Sequence, residues 1–305
     1  MYTLDIAKVS FMTNLNEIIN NIENITGHKL NDYQLKPVGG GSINTAYQLS
    51  ANNYHYFIKL NQAHLVDMFE AEARGLEEMR ALKCVRIPEV ICFGQADGHS
   101  YIVLEYIELA SLRGQASQLL GTQLAQLHRH VQPFFGWHIE NTIGSTPQHN
   151  DINHDWISFW QQQRLAQQLK FAAKNGFAGR LQDHGQQLIE KLPQFFDNYS
   201  PEPALLHGDL WSGNAAADPQ GNPVIFDPAC YYGDREADIA MTELFGGFGN
   251  DFYSAYQTEY PLDVGYKLRK TLYNLYHIIN HLNLFGGGYL SQSENMIDQL
   301  LAEIN

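Results

Sequence analysis

The first third of the chain alternates short apolar runs with turns. β-Branched and aromatic residues dominate these runs, which predicts short strands. Ala51-Asn52-Asn53 is the predicted hairpin turn between the second and third strands. The predicted strands cover residues 34–38, 45–50, 54–60, 91–93 and 101–105.

Two segments of the same region carry apolar residues at helical spacing, which predicts helices over residues 10–27 and 67–81. The residues that share a face are Ile18, Ile22 and Ile25 in the first segment and Phe69, Ala73 and Leu76 in the second. The order of elements is therefore helix, three strands, helix and two strands.

After residue 107 the pattern becomes mainly helical. Helical spacing is carried by Leu120, Leu124, Leu127 and Val131, and again by Leu272, Leu275, Ile279 and Leu282. Between them we predict one small β island at residues 204–206, 215–217 and 223–226, with a turn at 218–221. We expect an α+β fold of two lobes: a β-rich N-lobe over residues 1–107 and a mainly helical C-lobe over 108–305.

Composition narrows the classes of function. The 305 residues carry a formal net charge of −14 and no run of Lys or Arg, so we expect no nucleic-acid partner and no anionic membrane surface. The N-terminus does not resemble a signal peptide, and no apolar run reaches the length of a membrane span. Three sparse cysteines, Cys84, Cys92 and Cys230, favour reduced thiols in the cytoplasm.

The strongest chemical signal is the motif HGDLWSGN at residues 207–214, followed by Phe226-Asp227-Pro228. Phosphoryl transfer needs a carboxylate that orients the attacking hydroxyl, and Asp209 is predicted to be that catalytic base. It also needs hard oxygen ligands for Mg²⁺ beside the phosphates, and Asn214 and Asp227 are the predicted ligands. The alternative interpretation is a turn rich in Asp and Asn followed by an unrelated aspartate. It is disfavoured because Asp209, Asn214 and Asp227 all stand at the spacing of the kinase motifs.

A glycine-rich loop precedes a lysine in an apolar strand. Gly39, Gly40, Gly41 and Ser42 lie between two predicted strands, where glycines let the backbone approach phosphate oxygens. Lys59 lies inside the run Phe57-Ile58-Lys59-Leu60, where a charge is costly unless it is paired. We expect its partners to be ATP phosphates and a carboxylate of the next helix, Glu72 or, alternatively, Glu70.

Several neighbouring residues are given supporting roles. The strand at 101–107 is predicted to bind adenine through the Glu105 carbonyl and the Ile107 amide. A helix is predicted over 238–245, with Asp238 accepting backbone amides of the catalytic loop and Asp234 as an N-cap. His207 is predicted to pack and to hydrogen-bond rather than to carry a proton.

The order of the predicted elements and the motifs together predict an enzyme with a protein-kinase-like fold that uses ATP and Mg²⁺. Pro228 replaces the second residue of the D-F-G motif, and Gly208 replaces the Arg that reads a phosphorylated activation loop. Both differences favour kinases of small molecules without a phosphorylation switch.

The whole chain, from about residue 10 to 295, resembles the bacterial branch of the fructosamine kinase, or ketosamine-3-kinase, family. The resemblance is carried by FGW at 135–137, NTIGSTPQ at 141–148 with Asn150, HGDLW at 207–211 with Gly213-Asn214, and HLNLFGGGY at 281–289. It implies ATP-dependent phosphorylation of the 3-hydroxyl of ketosamines, free or on glycated proteins, followed by release of the amine.

Within this resemblance, Trp211, Gln148 and His281 either line the sugar pocket or pack in the interior, whereas Trp137 is expected in the core. Some relatives carry a loop cysteine where this chain has Ser42, which argues against redox control there. Cys230, three residues after Asp227, remains a possible site of oxidation. The alternatives are another small-molecule kinase of the same fold, of sugar, choline or aminoglycoside type, and a non-catalytic nucleotide-binding regulator.

Overall fold

An antiparallel sheet forms the base of the first of two lobes. The computed structural model describes residues 15–39 and 43–304. Five strands lie in the order β1-β2-β3-β5-β4. Their bounds are Gln34–Val38 (β1), Thr45–Ala51 (β2), Tyr54–Gln62 (β3), Val90–Ala96 (β4) and His99–Glu105 (β5). The five predicted strands and the hairpin turn after Ala51 are confirmed.

Two helices cover the sheet. Helix α1 (Asn16–Thr26) buries Ile18 and Ile22 in a small core that belongs to this lobe alone. Ile25 was wrongly placed on that face: it is 60% exposed because α1 ends one residue later and turns away at Gly27. Residues 10–14 of the predicted helix lie outside the described residues.

Helix α2 (Val66–Ala81) joins the two lobes. Its buried residues, which include Phe69, Ala73 and Leu76 as predicted, belong to the large core that continues through the second lobe. Residues 106–114 connect the sheet to the helical part of the chain. Helix α2 therefore packs on the sheet of the first lobe and also on the core of the second lobe.

The second lobe is mainly helical within the part of the chain that the structure describes. Its helices are α3 (Gln115–Leu127), α4 (Trp156–Phe159), α5 (Ala166–Lys174), α6 (Arg180–Lys191), α7 (Arg235–Leu244), α8 (Asn250–Glu259), α9 (Tyr266–Phe285) and α10 (Leu290–Glu303). The predicted core positions on α3 and α9 are buried. Val131 is the exception, since α3 ends at Leu127 and Val131 is 47% exposed.

Among the described residues, the second lobe has three two-stranded sheets instead of the single predicted β island. The pairs are β6 with β7 (Asn141–Ile143, Thr146–Gln148), β8 with β11 (Ala204–Leu206, Tyr231–Gly233) and β9 with β10 (Ala215–Ala217, Pro223–Ile225). The three predicted strands and the hairpin of β9 with β10 are confirmed, but β8 pairs with β11 rather than with that hairpin. Strands β6, β7 and β11 were not predicted, because a strand of three residues is too short to show an alternating pattern.

Helix α7 begins three residues before its predicted start. Asp234 is its N-cap, as predicted, with its carboxylate accepting the Glu236 amide. Arg235 and Glu236 in the first turn look too polar for a buried helix. They are accommodated because Arg269 pairs with Glu236 and because backbone carbonyls accept from Arg235.

Among the described residues, no helix combines the length and the apolar character needed to cross a bilayer.

Candidate active site

A cavity of about 800 Å³ lies between the two lobes. Its lining includes the apolar side chains of Ala46, Phe57, Leu104, Val224 and Phe226. It also includes the charged and polar side chains of Lys59, Glu72, Asp209, Asn214 and Asp227. The cavity therefore offers a ligand both apolar surface and charged groups.

The catalytic-loop motif 207–214 starts where β8 ends. The carboxylate of Asp238 accepts the backbone amides of His207 at 2.7 Å and of Gly208 at 2.8 Å, as predicted. Gly208 has φ of 80°, and a side chain there would collide with the Ala229 carbonyl oxygen. The glycine is thus required by the close approach of the two segments.

His207 is completely buried, and Nε2 lies 3.0 Å from the Phe226 carbonyl oxygen. Burial lowers the pKa of His207, so the neutral ring is favoured. The structure thus gives His207 the packing and hydrogen-bonding role expected from the sequence.

Asp209 lines the cavity. Its carboxylate accepts a hydrogen bond from the Asn214 amide nitrogen at 3.2 Å. Burial, followed by the nearby charge of Asp227, raises the pKa of Asp209 to about 7. A carboxylate with this pKa accepts a proton near neutral pH far better than an ordinary aspartate does.

Lys59 is the central charge of the site. It is 5% exposed and bonds to the Glu72 carboxylate at 2.7 Å and to the Asp227 carboxylate. Although burial lowers the pKa of Lys59, these two carboxylates raise it above its ordinary value. The predicted pairing with Glu72 is confirmed, whereas Glu70, the alternative, lies near Arg74 on the exposed side of α2.

Asp227 and Asn214 are close together on the cavity wall. The Asn214 amide nitrogen donates to the backbone carbonyl of Asp209 at 2.9 Å and contacts that of Asp227 at 3.5 Å. Because the nitrogen is engaged in this way, the amide oxygen is the atom available to a cation. Asp227 has φ of 60° and a half-exposed side chain.

These two side chains fit Mg²⁺. The described residues contain no cluster of three or more His, Cys, Asp or Glu side chains arranged as a metal cage. Mg²⁺ in phosphotransferases is bound instead by one or two side-chain oxygens together with phosphate oxygens and water. A carboxylate and an amide oxygen beside a cavity that also contains a buried lysine match that donor set.

The hinge and the first glycine of the glycine-rich segment border the same cavity. Glu105 and Ile107 line it at the end of β5, and Gly39 lines it at the end of β1. Gly40, Gly41 and Ser42 lie outside the described residues. The Glu105 carboxylate pairs with Arg86, 2.7 Å away.

Only one of the three predicted sugar-pocket residues lines the cavity. Trp211 does so beside Asp209, and its ring lies flat against Gly213, where a side chain would collide with it. His281 is set back from the cavity and packs on Phe245, whose ring contacts Trp211 in turn.

Gln148 is buried away from the cavity lining. Its amide nitrogen donates to Asn141 and to the Ala229 carbonyl, and its amide oxygen accepts from Tyr276. The expectation that Gln148 contacts a sugar therefore does not agree with its position. A buried amide needs partners for all its polar atoms, and here the protein supplies them.

Trp137 and Cys230, which were not predicted to bind ligands, are also buried. Trp137 lies in the core, as expected. Cys230 is 1% exposed, and burial raises the pKa of its thiol well above the ordinary value. Oxidation requires an accessible thiolate, so the structure disfavours Cys230 as a redox site.

Some lining residues were not predicted. The apolar part of the lining comes from separate strands, with Ala46 on β2, Phe57 on β3, Leu104 on β5 and Val224 on β10, and no single stretch of the sequence marks these residues together. Asn141 lines the cavity while its amide nitrogen donates to the Cys230 carbonyl at 2.8 Å. Its role depends on a contact between residues 89 positions apart, for which the local sequence has no signal.

A sheet-based lobe, a helical lobe and a cavity with Lys59, Asp209, Asn214 and Asp227 define a phosphotransferase of the protein-kinase-like class. The chain belongs to the fructosamine kinase family, whose model matches residues 14–303. The fold class and the enzyme class predicted from sequence are thereby confirmed.

Individual relatives agree with this assignment. A Synechocystis protein named as a probable ketoamine kinase is 46% identical over 285 residues, covering 93% of this chain and 96% of its own. The chloroplastic protein-ribulosamine 3-kinase of Arabidopsis thaliana is 44% identical over 267 residues, with 87% and 81% covered. A solved structure from Haemophilus somnus, named as a candidate fructosamine-3-kinase, superposes with a TM-score of 0.84 at 27% identity, covering 93% and 96%.

Asp209→Asn is expected to lower kcat by a factor of about 100 or more, because an amide cannot accept the proton of the acceptor hydroxyl. The same change should stabilise the metal-free protein. Since the folded-state pKa lies above that of an unfolded aspartate, the ionised carboxylate opposes folding increasingly between about pH 4 and 7.

In EDTA, the free energy of unfolding of Asp209→Asn should therefore exceed that of the wild type by on the order of 1 kcal/mol at pH 8, seen as a higher Tm, and the two proteins should differ little at pH 4. Retention of more than about a tenth of the wild-type kcat would rule out Asp209 as the base.

Asp227→Ala is expected to abolish the Mg²⁺-dependent part of stabilisation by ATP, because the change removes one of the two predicted cation ligands. The measurement is the rise in Tm caused by ATP, with and without Mg²⁺, in each protein. Asp197→Ala, at an exposed aspartate of the second lobe, is the control and should match wild type. A normal Mg²⁺-dependent rise in Asp227→Ala would contradict the assignment.

Proposed function

We propose that this protein is an ATP-dependent kinase that phosphorylates the 3-hydroxyl of ketosamines, and that this reaction leads to deglycation of amines. The observation that carries the proposal is the convergence of Asp209, Asn214 and Asp227 on one cavity in a chain of the fructosamine kinase family. Relatives named for ketoamine and ribulosamine phosphorylation support the acceptor class.

The nucleotide would occupy the larger part of the cavity. Adenine fits between the walls provided by Ala46, Phe57 and Phe226, with the hinge backbone from Glu105 to Ile107 at its edge. Lys59 would then exchange part of its contact with Asp227 for phosphate oxygens while Glu72 keeps it in place. Mg²⁺, when bound to Asp227 and Asn214, supplies charge neutralisation at the phosphates.

The acceptor would lie on the Asp209 side. The carboxylate orients the attacking hydroxyl and takes its proton as the oxygen bonds to the γ-phosphorus of ATP, whose bond to the bridging oxygen breaks and releases ADP. Trp211 lines the cavity two residues further on and offers a flat apolar surface to a sugar chain or to the carbon atoms of the amine. Phe245 and His281 support this ring from behind, which gives His281 an indirect role.

The product explains why such a kinase removes a sugar. In a ketosamine 3-phosphate, loss of a proton from C1 gives an enaminol, and its electron pair expels inorganic phosphate from C3. Water then hydrolyses the resulting imine and frees the amine. The protein has to supply only the first step, the transfer of the phosphoryl group from ATP to the 3-hydroxyl.

Two further points belong to this proposal. All three cysteines are free, which supports a reducing compartment such as the cytoplasm. Substrates would be small ketosamines or glycated proteins.

With ribuloselysine or fructoselysine, ATP and Mg²⁺, we expect consumption of ATP and a new phosphoester signal in ³¹P NMR. That signal should decay to inorganic phosphate as free lysine appears. Asp209→Asn is the matched control for contaminating kinases and should give neither signal.

Choline and an aminoglycoside, tested in parallel, separate the alternatives. Turnover of either of these with none of a ketosamine would assign another small-molecule kinase. Binding of ATP with no turnover of any acceptor would favour a nucleotide-binding regulator.

A further inference from the structure

Glu78, near the end of α2, bonds to two buried side chains of the second lobe. Its carboxylate accepts a hydrogen bond from the Trp137 indole nitrogen at 2.7 Å and another from the Tyr232 hydroxyl at 2.6 Å. Trp137 is 2% exposed and Tyr232 is 6% exposed. Hydrogen bonds to an ionised acceptor are the shorter and stronger kind, so this is a firm contact between the lobes.

The two donors are fixed relative to each other. Tyr232 forms an antiparallel backbone bridge with Gly136, the residue before Trp137, through two hydrogen bonds of 2.9 Å. Tyr232 also belongs to β11, whose partner β8 leads directly into the catalytic loop. The Glu78 carboxylate is therefore bound to a rigid unit that adjoins Asp209.

Tyr232, one member of this unit, lies five residues after Asp227 in the sequence. Between them, Pro228 and Cys230 pack under Gly75 of α2, where an added Cβ would lie 3.5 Å from the Pro228 ring and 3.0 Å from the Cys230 Cβ. Glu72, Gly75 and Glu78 follow at three-residue spacing and lie along one side of the helix. This side of α2 thus contacts, in order, Lys59, the segment after Asp227, and Tyr232.

From this geometry we propose that Glu78 is a positioning residue for nucleotide binding. By tying the end of α2 to Trp137 and Tyr232, it holds Glu72 and Asp227 at the distance at which both pair with Lys59. The contact is made without phosphorylation, in a chain whose Gly208 cannot read a phosphate. The inference rests on the proposed function, since it assumes that Lys59 and Asp227 serve Mg²⁺-ATP.

Glu78→Ala removes both hydrogen bonds, and Glu77→Ala is its matched control. Glu77 is the preceding residue of the same helix, is exposed, and pairs only with Arg74 among the described contacts. Calorimetric titration with Mg²⁺-ATP is expected to give a Kd at least tenfold higher for Glu78→Ala and within twofold of wild type for Glu77→Ala. Tyr232→Phe keeps the ring, loses one bond, and should give an intermediate Kd even if Glu78→Ala fails to fold.

A double-variant comparison separates positioning from general stability. If Glu78 acts through Glu72, the double variant Glu72→Gln/Glu78→Ala should bind Mg²⁺-ATP within about threefold of Glu72→Gln alone. If the factors by which the two substitutions raise the Kd multiply in the double variant, the proposal is overturned, because Glu78 would then affect binding by a route that does not involve Glu72. A wild-type Kd for Glu78→Ala or for Tyr232→Phe would overturn it as well.

Hydrogen–deuterium exchange of residues 66–81 without nucleotide tests the contact itself. Exchange in α2 should be at least tenfold faster in Glu78→Ala than in Glu77→Ala, and equal rates would overturn the proposal. If the wild-type protein binds no Mg²⁺-ATP, the proposed function fails, and the exchange rates still decide whether Glu78 holds α2.

Discussion

The buried ammonium group of Lys59 is the constraint on which the rest of the site depends. A charge 5% exposed is tolerated only when it is paired, and Lys59 takes one carboxylate from α2 and the other from the segment after β10. Three separate parts of the chain must therefore meet at one point. The pairing of Lys59 with Glu72 and Asp227 sets the position of the Asp227 carboxylate relative to α2 and to the sheet.

Other contacts keep the meeting point in place. Asp238 fixes the catalytic loop through two backbone amides, and Asn141 and Gln148 bind the carbonyls of Cys230 and Ala229. These residues are buried and do not need to touch a substrate. Much of what resembles a substrate motif in the sequence thus forms the support behind the site.

The sequence predicted the parts of the site whose chemistry is local. Asp209, Asn214 and Asp227 stand at fixed spacings around a loop and a hairpin, and Lys59 is conspicuous in an apolar strand. For Gln148 the sequence left two roles open, because a buried amide and a ligand-binding amide look alike in sequence. Glu78 was missed for a related reason: beside Glu77 on a helix it reads as a solvated charge, and only the tertiary contact with Tyr232 distinguishes it.

The central claim is that Lys59, Asn214 and Asp227 together form an ATP and Mg²⁺ site. A crystal structure with a non-hydrolysable ATP analogue and Mn²⁺ as an anomalous substitute tests it most directly. We expect a metal peak about 2.0–2.2 Å from an oxygen of Asp227 and the amide oxygen of Asn214, with Lys59 between Glu72 and a phosphate oxygen. A metal bound by other residues, or a nucleotide outside this cavity, would contradict it.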